Sequence, residues 1–286
     1  MNDVCVRQFG KEDTDFAHKM TLTEEWNVTR NDVARMFDFE PAGCFMAEVG
    51  GKPAGHVFAI SYGLLGWIGL LIVCSVYRRK GIGSILMEKA VDYLLARDVE
   101  TIKLDAVPEI AGLYRNFGFV EEYDSLRFMG TNELACVARN SSVQEIEPKM
   151  VASIVKFEAD YFGAERTRVL SRLFDENPEL SFVSHSGTSV VGYIACREAE
   201  VGYNIGPWVC KPNQQQIAEE LLLTCLSRLE THAKVYVGLP SPNKSAIRVL
   251  SKHGFSQYSK SIRMTFGKRI VEQPSGIFAI GGAMKG

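Results

Sequence analysis

The sequence has no pair of cysteines in CxxC spacing, no surplus of basic residues, and no unbroken apolar stretch of membrane length. Each absence removes a class of function. Seven cysteines (5, 44, 74, 136, 196, 210 and 225) are odd in number and scattered, and the five histidines do not stand beside them at metal-ligand spacing. A disulfide framework and a zinc module are therefore set aside, no metal is expected, and the cysteines read as buried or free thiols in a reducing cytoplasm. The 32 basic residues are outnumbered by 34 acidic ones, a net charge of -2, whereas a nucleic-acid binder presents a strongly basic face. The longest apolar run, Leu64 to Val76, is broken by Gly66, Gly69 and Ser75 and is too short to span a bilayer. The opening MNDVCVRQFGKED is polar and holds no apolar signal core. A cytoplasmic protein with neither membrane nor nucleic-acid partner is expected.

What is present is ordinary in bulk, 46% hydrophobic and 23% charged residues over 286 positions, a length that suits two domains. An internal echo supports the division. LYRNFGF (113–119) and VLSKHGF (249–255) stand 136 residues apart, as do Arg127 and Arg263, and Val73-Cys74 and Val209-Cys210. Two copies of one fold are expected, at 1–142 and 143–286, joined by the polar stretch 131–145. Each copy runs strand, helices, strands, helix, strand, helix, strand, an α/β order that favours a central sheet flanked by helices.

Between the apolar run GWIGLLIVCS and a helical pattern lies YRRKGIGS (77–84). Cations and glycines at a helix start make an anion pocket: the first N–H groups have no partner in the helix, the dipole favours negative charge, and glycine lets a diphosphate approach. A P-loop would need GxxxxGK[ST], which does not occur. A dinucleotide fingerprint would need a third glycine at Leu86. Both fail.

V-x-x-x-Y-R-x-x-G-I-G-x-x-L (Val73 to Leu86) with GLYRNFGF downstream resembles the acetyl-coenzyme A loop of the GNAT superfamily of N-acetyltransferases. The layout is similar to that of a two-domain subgroup, an α/β (α+β) pair of tandem GNAT folds with mixed, mostly antiparallel sheets and a diverged second domain. The resemblance implies an acetyl-CoA-dependent N-acetyltransferase acting by direct attack of an amine in a ternary complex, with no metal. It implies that Leu71, Ile72 and Val73 lie on a splayed strand whose backbone pairs with pantetheine. It implies that Arg78, Arg79, Lys80, Gly81, Ile82, Gly83 and Ser84 hold the diphosphate, and that Tyr114 protonates the departing thiolate. Where many relatives carry a cofactor-contacting Asn, this chain has Val107. The second copy has the Asn, as Asn243, but Leu250 instead of Tyr, and Gln214, Ile217 and Glu219 in place of Arg78, Gly81 and Gly83. One active centre, in the first copy, is expected. A non-catalytic acyl-CoA-binding sensor is the alternative.

No residue declares itself as the base. Glu25 and Asp105 are candidates, as is a water chain, and Cys74 raises a covalent alternative that lacks a histidine partner in sequence. The acceptor, a small-molecule amine or a peptide, is expected to meet a wall built from Asp160, Arg166, Tyr203, Asn204 and Trp208, although the same residues could instead pack the domain interface.

Overall fold

Gly50 and Gly51, both at positive φ, reverse the chain tightly enough to pair β2 (Cys44–Val49) with β3 (Lys52–Tyr62). The computed structural model containing this hairpin describes residues 4–133, 142–270 and 272–286. Cys136 and most of the expected joint between the copies lie outside them. In the first copy β1 (Val4–Gln8), β2, β3, β4 (Leu65–Val73) and β5 (Thr101–Ala106) are sheet neighbours in that order. Helices α1 (Thr14–Thr23) and α2 (Arg30–Phe39) cover one face, and α3 (Ile82–Leu95) and α4 (Ala111–Asn116) the other. The second copy repeats this with β7 (Val143–Glu145), α5 (Val151–Phe162), α6 (Thr167–Glu176), β8 (Ser181–Ser186), β9 (Ser189–Glu198), β10 (Tyr203–Cys210), α7 (Gln215–Leu226), β11 (Lys234–Pro240) and α8 (Lys244–Lys252).

Sequence pattern explains the helix contacts. On α3 the residues Ile82, Leu86, Met87, Ala90, Val91 and Leu94 recur at helical spacing, and all are buried against β3 and β4. Each large aliphatic side chain hidden this way contributes about 2 kcal/mol. At the start of α2, Thr29 and Asp32 form a reciprocal capping box, 3.0 and 3.1 Å. Asp32 then reaches Arg197 of β9 at 3.1 Å, so one carboxylate both caps a helix and ties the copies together.

The copies do not close separately. Their last strands, β6 (Val120–Thr131) and β12 (Ser256–Gly267), are exchanged. β12 pairs with β5 of the first copy, β6 pairs with β11 of the second, and the two pair with each other at the centre. The result is a continuous sheet in the order β1-β2-β3-β4-β5-β12-β6-β11-β10-β9-β8-β7, with β13 (Ile277–Ala279) beside β10. Among the described strands only β4–β5 and β10–β11 are parallel. The boundary expected at 142/143 divides the chain, but it does not divide the sheet.

A buried charge network pins the exchange. Asp105 of β5 accepts from Arg263 of β12 at 2.7 Å and from Arg127 of β6 at 3.1 Å. The two arginines aligned by the sequence repeat thus share one carboxylate. Nearby, Lys103 pairs with Glu122 (3.0 Å) and Glu272 (2.8 Å), and Tyr123 donates to Glu272 at 2.7 Å. Burial alone would raise the Asp105 pKa, but the Arg263 and Arg127 guanidinium groups override it and hold the carboxyl below its ordinary range.

Two outcomes follow. Residues 1–142 expressed alone should not give a stable monomer, because β5 loses its β12 neighbour and β6 loses both of its partners. Size-exclusion chromatography should find a folded species only when 143–286 is co-expressed, and a well-folded 1–142 monomer would contradict the exchange. Asp105→Asn should destabilise the whole chain by about 3 kcal/mol at pH 7, since it leaves buried cations without their counter-charge. Because the folded-state pKa of Asp105 is depressed, its contribution is present above the unfolded carboxyl value of about 3.9 and is lost as pH falls through the lower folded value. Urea titrations of wild type and variant should therefore converge only in that acidic window.

Candidate active site

β4 and β5 run together for only three residues, Leu65, Gly66 and Trp67 opposite Thr101, Ile102 and Lys103. Beyond Trp67 the register of β4 against β3 shifts, and Leu70 takes a left-handed φ of 51°. This bulge turns β4 away from β5 while keeping its pairing with β3. The β5-facing edge of the following backbone, which includes Leu71, Ile72 and Val73, therefore has no strand partner among the described residues. Unpaired backbone N–H and C=O groups along a slot are what a ligand with amide groups of its own can satisfy.

The slot leads to the N-terminus of α3. Gly81 caps it at φ 80°, a conformation that suits glycine, and no side chain caps the helix. A Cβ at Gly83 would meet nothing nearer than 3.8 Å, so the turn is open around it. The first N–H groups of α3, at Ile82, Gly83 and Ser84, are thus available to an anion. The cations are not equivalent. Arg78 bonds the Val73 carbonyl at 2.9 Å and pairs with Glu24, which fastens the loop to β4 and α1. Arg79, exposed and at φ 62°, forms no ion pair among the described residues, and Lys80 bonds the Val76 carbonyl at 3.2 Å. Glu24 was not foreseen as Arg78's partner. The pair spans 54 residues and has no local signal.

Tyr114 sits on α4 with its ring packed into the cluster that includes Leu71 and Val73 of β4, edge-on to Phe119. Its hydroxyl has no hydrogen-bond partner among the described residues. Burial raises its pKa above that of an ordinary phenol, so it carries its proton at neutral pH. Val107 lies in the turn before α4, partly exposed.

Several expected acceptor residues stand elsewhere, and the reasons are physical. Asp105 has both oxygens committed to the arginines and is completely buried, so it cannot take a proton from an amine. Trp208 is fully buried and packs on Phe278 at 4.9 Å inside the second copy, where it offers no wall to a ligand. Asp160 lies on the solvent side of α5, whereas Glu158 two residues earlier turns inward to Arg166 and Tyr193. Arg166 is correspondingly buried in the interface. Glu25 follows α1 rather than lying on it, exposed at φ 55°. Tyr203 packs against the core of the second copy, while Asn204 donates to the Asn27 carbonyl of the first at 3.3 Å. Of that set, Asn204 alone bonds directly across to the α1–α2 connection.

Two side chains invite other chemistry and do not supply it. Cys74 has a neighbour in the Met20 sulfur at 3.6 Å, and burial raises its pKa, the opposite of an activated nucleophile. His56 is sealed among Phe9, Phe16 and Phe58, and burial lowers its pKa to about 4. Among the described residues no three His, Cys, Asp or Glu side chains gather as metal ligands, and no helix is long and apolar enough to cross a membrane.

The second copy has the same strand geometry with a different outcome. β10 and β11 pair only over Tyr203–Ile205 and Val235–Val237, and the bulge residue Gly206, 136 positions after Leu70, is again at positive φ. Beyond it β13 lies between the two strands, pairing with β10 at Trp208 and Val209, and Ile280 just after it donates its N–H to the Gly238 carbonyl of β11 at 2.8 Å. Asn243 donates to the Ile277 carbonyl at 2.9 Å. Near the start of α7, Glu219 is held by Lys252 and His253, each at 2.6 Å. The chain's own peptide thus fills this slot, and a carboxylate replaces the open turn. Asn243 stands out in the sequence but its partner does not, since a strand of three residues gives little signal.

Comparison with known proteins agrees with this geometry. Residues 12–119 match the acetyltransferase (GNAT) family and residues 154–279 match an acetyltransferase (GNAT) domain. Holothin acyltransferase of Pseudoalteromonas sp. (strain SANK 73390) is 26% identical over 258 residues, which is 90% of this chain and 86% of the relative. A candidate acetyltransferase from Pyrococcus horikoshii superposes with a TM-score of 0.79 at 24% identity, covering 100% of this chain and 97% of that one. A tandem GNAT protein from the clavulanic acid biosynthesis pathway gives 0.65 at 14% identity, over 93% and 98%. The chain is a GNAT-family acyltransferase built from two GNAT domains in tandem, the second diverged from the first.

Proposed function

We propose that the chain transfers an acetyl group from acetyl-CoA to a primary amine by direct attack in a ternary complex, at a single centre in the first copy. The observation that carries this reading is the unpaired edge of β4, which runs to the uncapped N-terminus of α3 with Tyr114 beside it. The edge suits the amides of pantetheine, and the turn at Gly81 and Gly83 suits a diphosphate. In this reading Tyr114, which keeps its proton at neutral pH, donates that proton to the sulfur as the carbon–sulfur bond breaks. The amine must lose a proton before it attacks. With Asp105 locked in its ion pairs, that proton passes to water.

The test is acetyl-CoA consumption across a library of amines, with Tyr114→Phe alongside. Loss of the phenol proton should slow turnover on the order of 10²-fold while acetyl-CoA affinity stays close to wild type. Equal turnover in the two proteins, measured where chemistry limits the rate, would remove Tyr114 from the mechanism.

A further inference from the structure

The segment that fills the second copy's slot continues onto the first copy. After β13 the chain passes Gly206, whose Cβ, if it had one, would lie 1.9 Å from the Ile280 carbonyl oxygen. It then crosses to β4. Trp67 donates its indole N–H to the Ala283 carbonyl at 2.9 Å, and the Tyr62 hydroxyl donates to the Lys285 carbonyl at 3.0 Å. Arg166 donates to the Gly286 oxygen at 2.6 Å. Met284 lies directly on Gly69, where a Cβ would come within 2.4 Å of its carbonyl oxygen, and its side chain is buried with Leu70 and Phe58. Gly69 and Leu70 are the bulge that separates β4 from β5.

We propose that Ile277–Gly286 is a single clamp, anchored in the second copy's slot and closing the acceptor side of the working slot in the first. The proposal rests on the acetyl-transfer reading. The geometry argues it in two steps. Helices α3 and α4 cover one face of the β4–β5 slot, and we assign the amine, and water with it, to the opposite face, where α1 and α2 meet the second copy at Asn27 and Asn204. On that face Ala283, Met284 and Lys285 lie over the β4 side. Their contacts hold Leu70 in a left-handed conformation that costs about 1 kcal/mol when unsupported. A clamp in this place does two things: it fixes the bulge, and it keeps stray water from the thioester. When water does enter, its oxygen adds to the acetyl carbonyl and the carbon–sulfur bond breaks. Acetate then leaves, Tyr114 gives its proton to the thiolate, one proton of water restores the phenol and the other passes to solvent.

The test uses full-length wild type, Asn243→Ala, which removes the anchoring bond to Ile277 together with the cap of α8 at Ala246, far from the first copy's slot, and Trp67→Phe, which removes the bond to Ala283 while keeping an aromatic ring near Arg263 and Phe162. Three quantities are measured: hydrogen exchange of the 281–286 amides, acetyl-CoA affinity by calorimetry, and thiol release from acetyl-CoA with no amine present. The clamp predicts faster exchange at 281–286 in both variants, affinity within about threefold of wild type, and amine-free hydrolysis raised about tenfold. Faster exchange with unchanged hydrolysis would show that the segment excludes no water and would overturn the proposal. Unchanged exchange in both variants would overturn the anchoring itself. Should Asn243→Ala fail to fold, Trp67→Phe decides alone. If wild type binds no acetyl-CoA, the acetyl-transfer reading fails first, visibly and before any variant is compared, and the exchange data still judge the anchor.

Discussion

Parallel pairing between β4 and β5 ends at Trp67 and Lys103, and between β10 and β11 at Ile205 and Val237. Past each of these points a strand edge must find another partner, because backbone polar groups inside a protein are costly to leave unmatched. The two copies meet the same requirement differently. In the second, β13 supplies the missing peptide groups and Asn243 bonds one of its carbonyls. In the first, the edge opens toward a glycine turn and a helix N-terminus, a surface suited to a ligand that combines amides with a diphosphate. The single centre assigned to this chain comes from that difference.

The exchange of β6 and β12 explains why the second copy persists after losing the features of a centre. It contributes the strand beside β5, and through Arg263 it contributes half of the counter-charge for Asp105. Its β9 carries the arginine that meets Asp32 at the head of α2. The first copy's sheet, its buried charges and the position of its α1–α2 face are therefore set partly by residues more than 100 positions later. On the proposed reading, the second copy acts on the reaction through structure and not through a second set of reacting groups.

How much of this was legible from sequence follows the range of the forces involved. The glycine turn and the apolar strand before it could be read because each depends on local backbone conformation and pattern, whereas Tyr114 stood out only through the family resemblance. The repeat offset could be read too, and it aligned Arg127 with Arg263, but not the fact that both bind one carboxylate. Asp105 looked like a free base because its arginines lie 22 and 158 residues away. Trp208 looked like a ligand wall because a strand sequence does not say which face is covered, and Phe278 covers it. Exchange of the last strands could not be foreseen at all, since β6 and β12 fit the same place in either copy.

Titration calorimetry with acetyl-CoA, on wild type and on Gly81→Glu, addresses the central claim directly. The glutamate would force a side chain onto a left-handed position and set a carboxylate at the diphosphate end of the slot. One site per chain, lost in the variant, is the predicted result. Two equivalent sites per chain, or a single site that survives Gly81→Glu, would contradict the account.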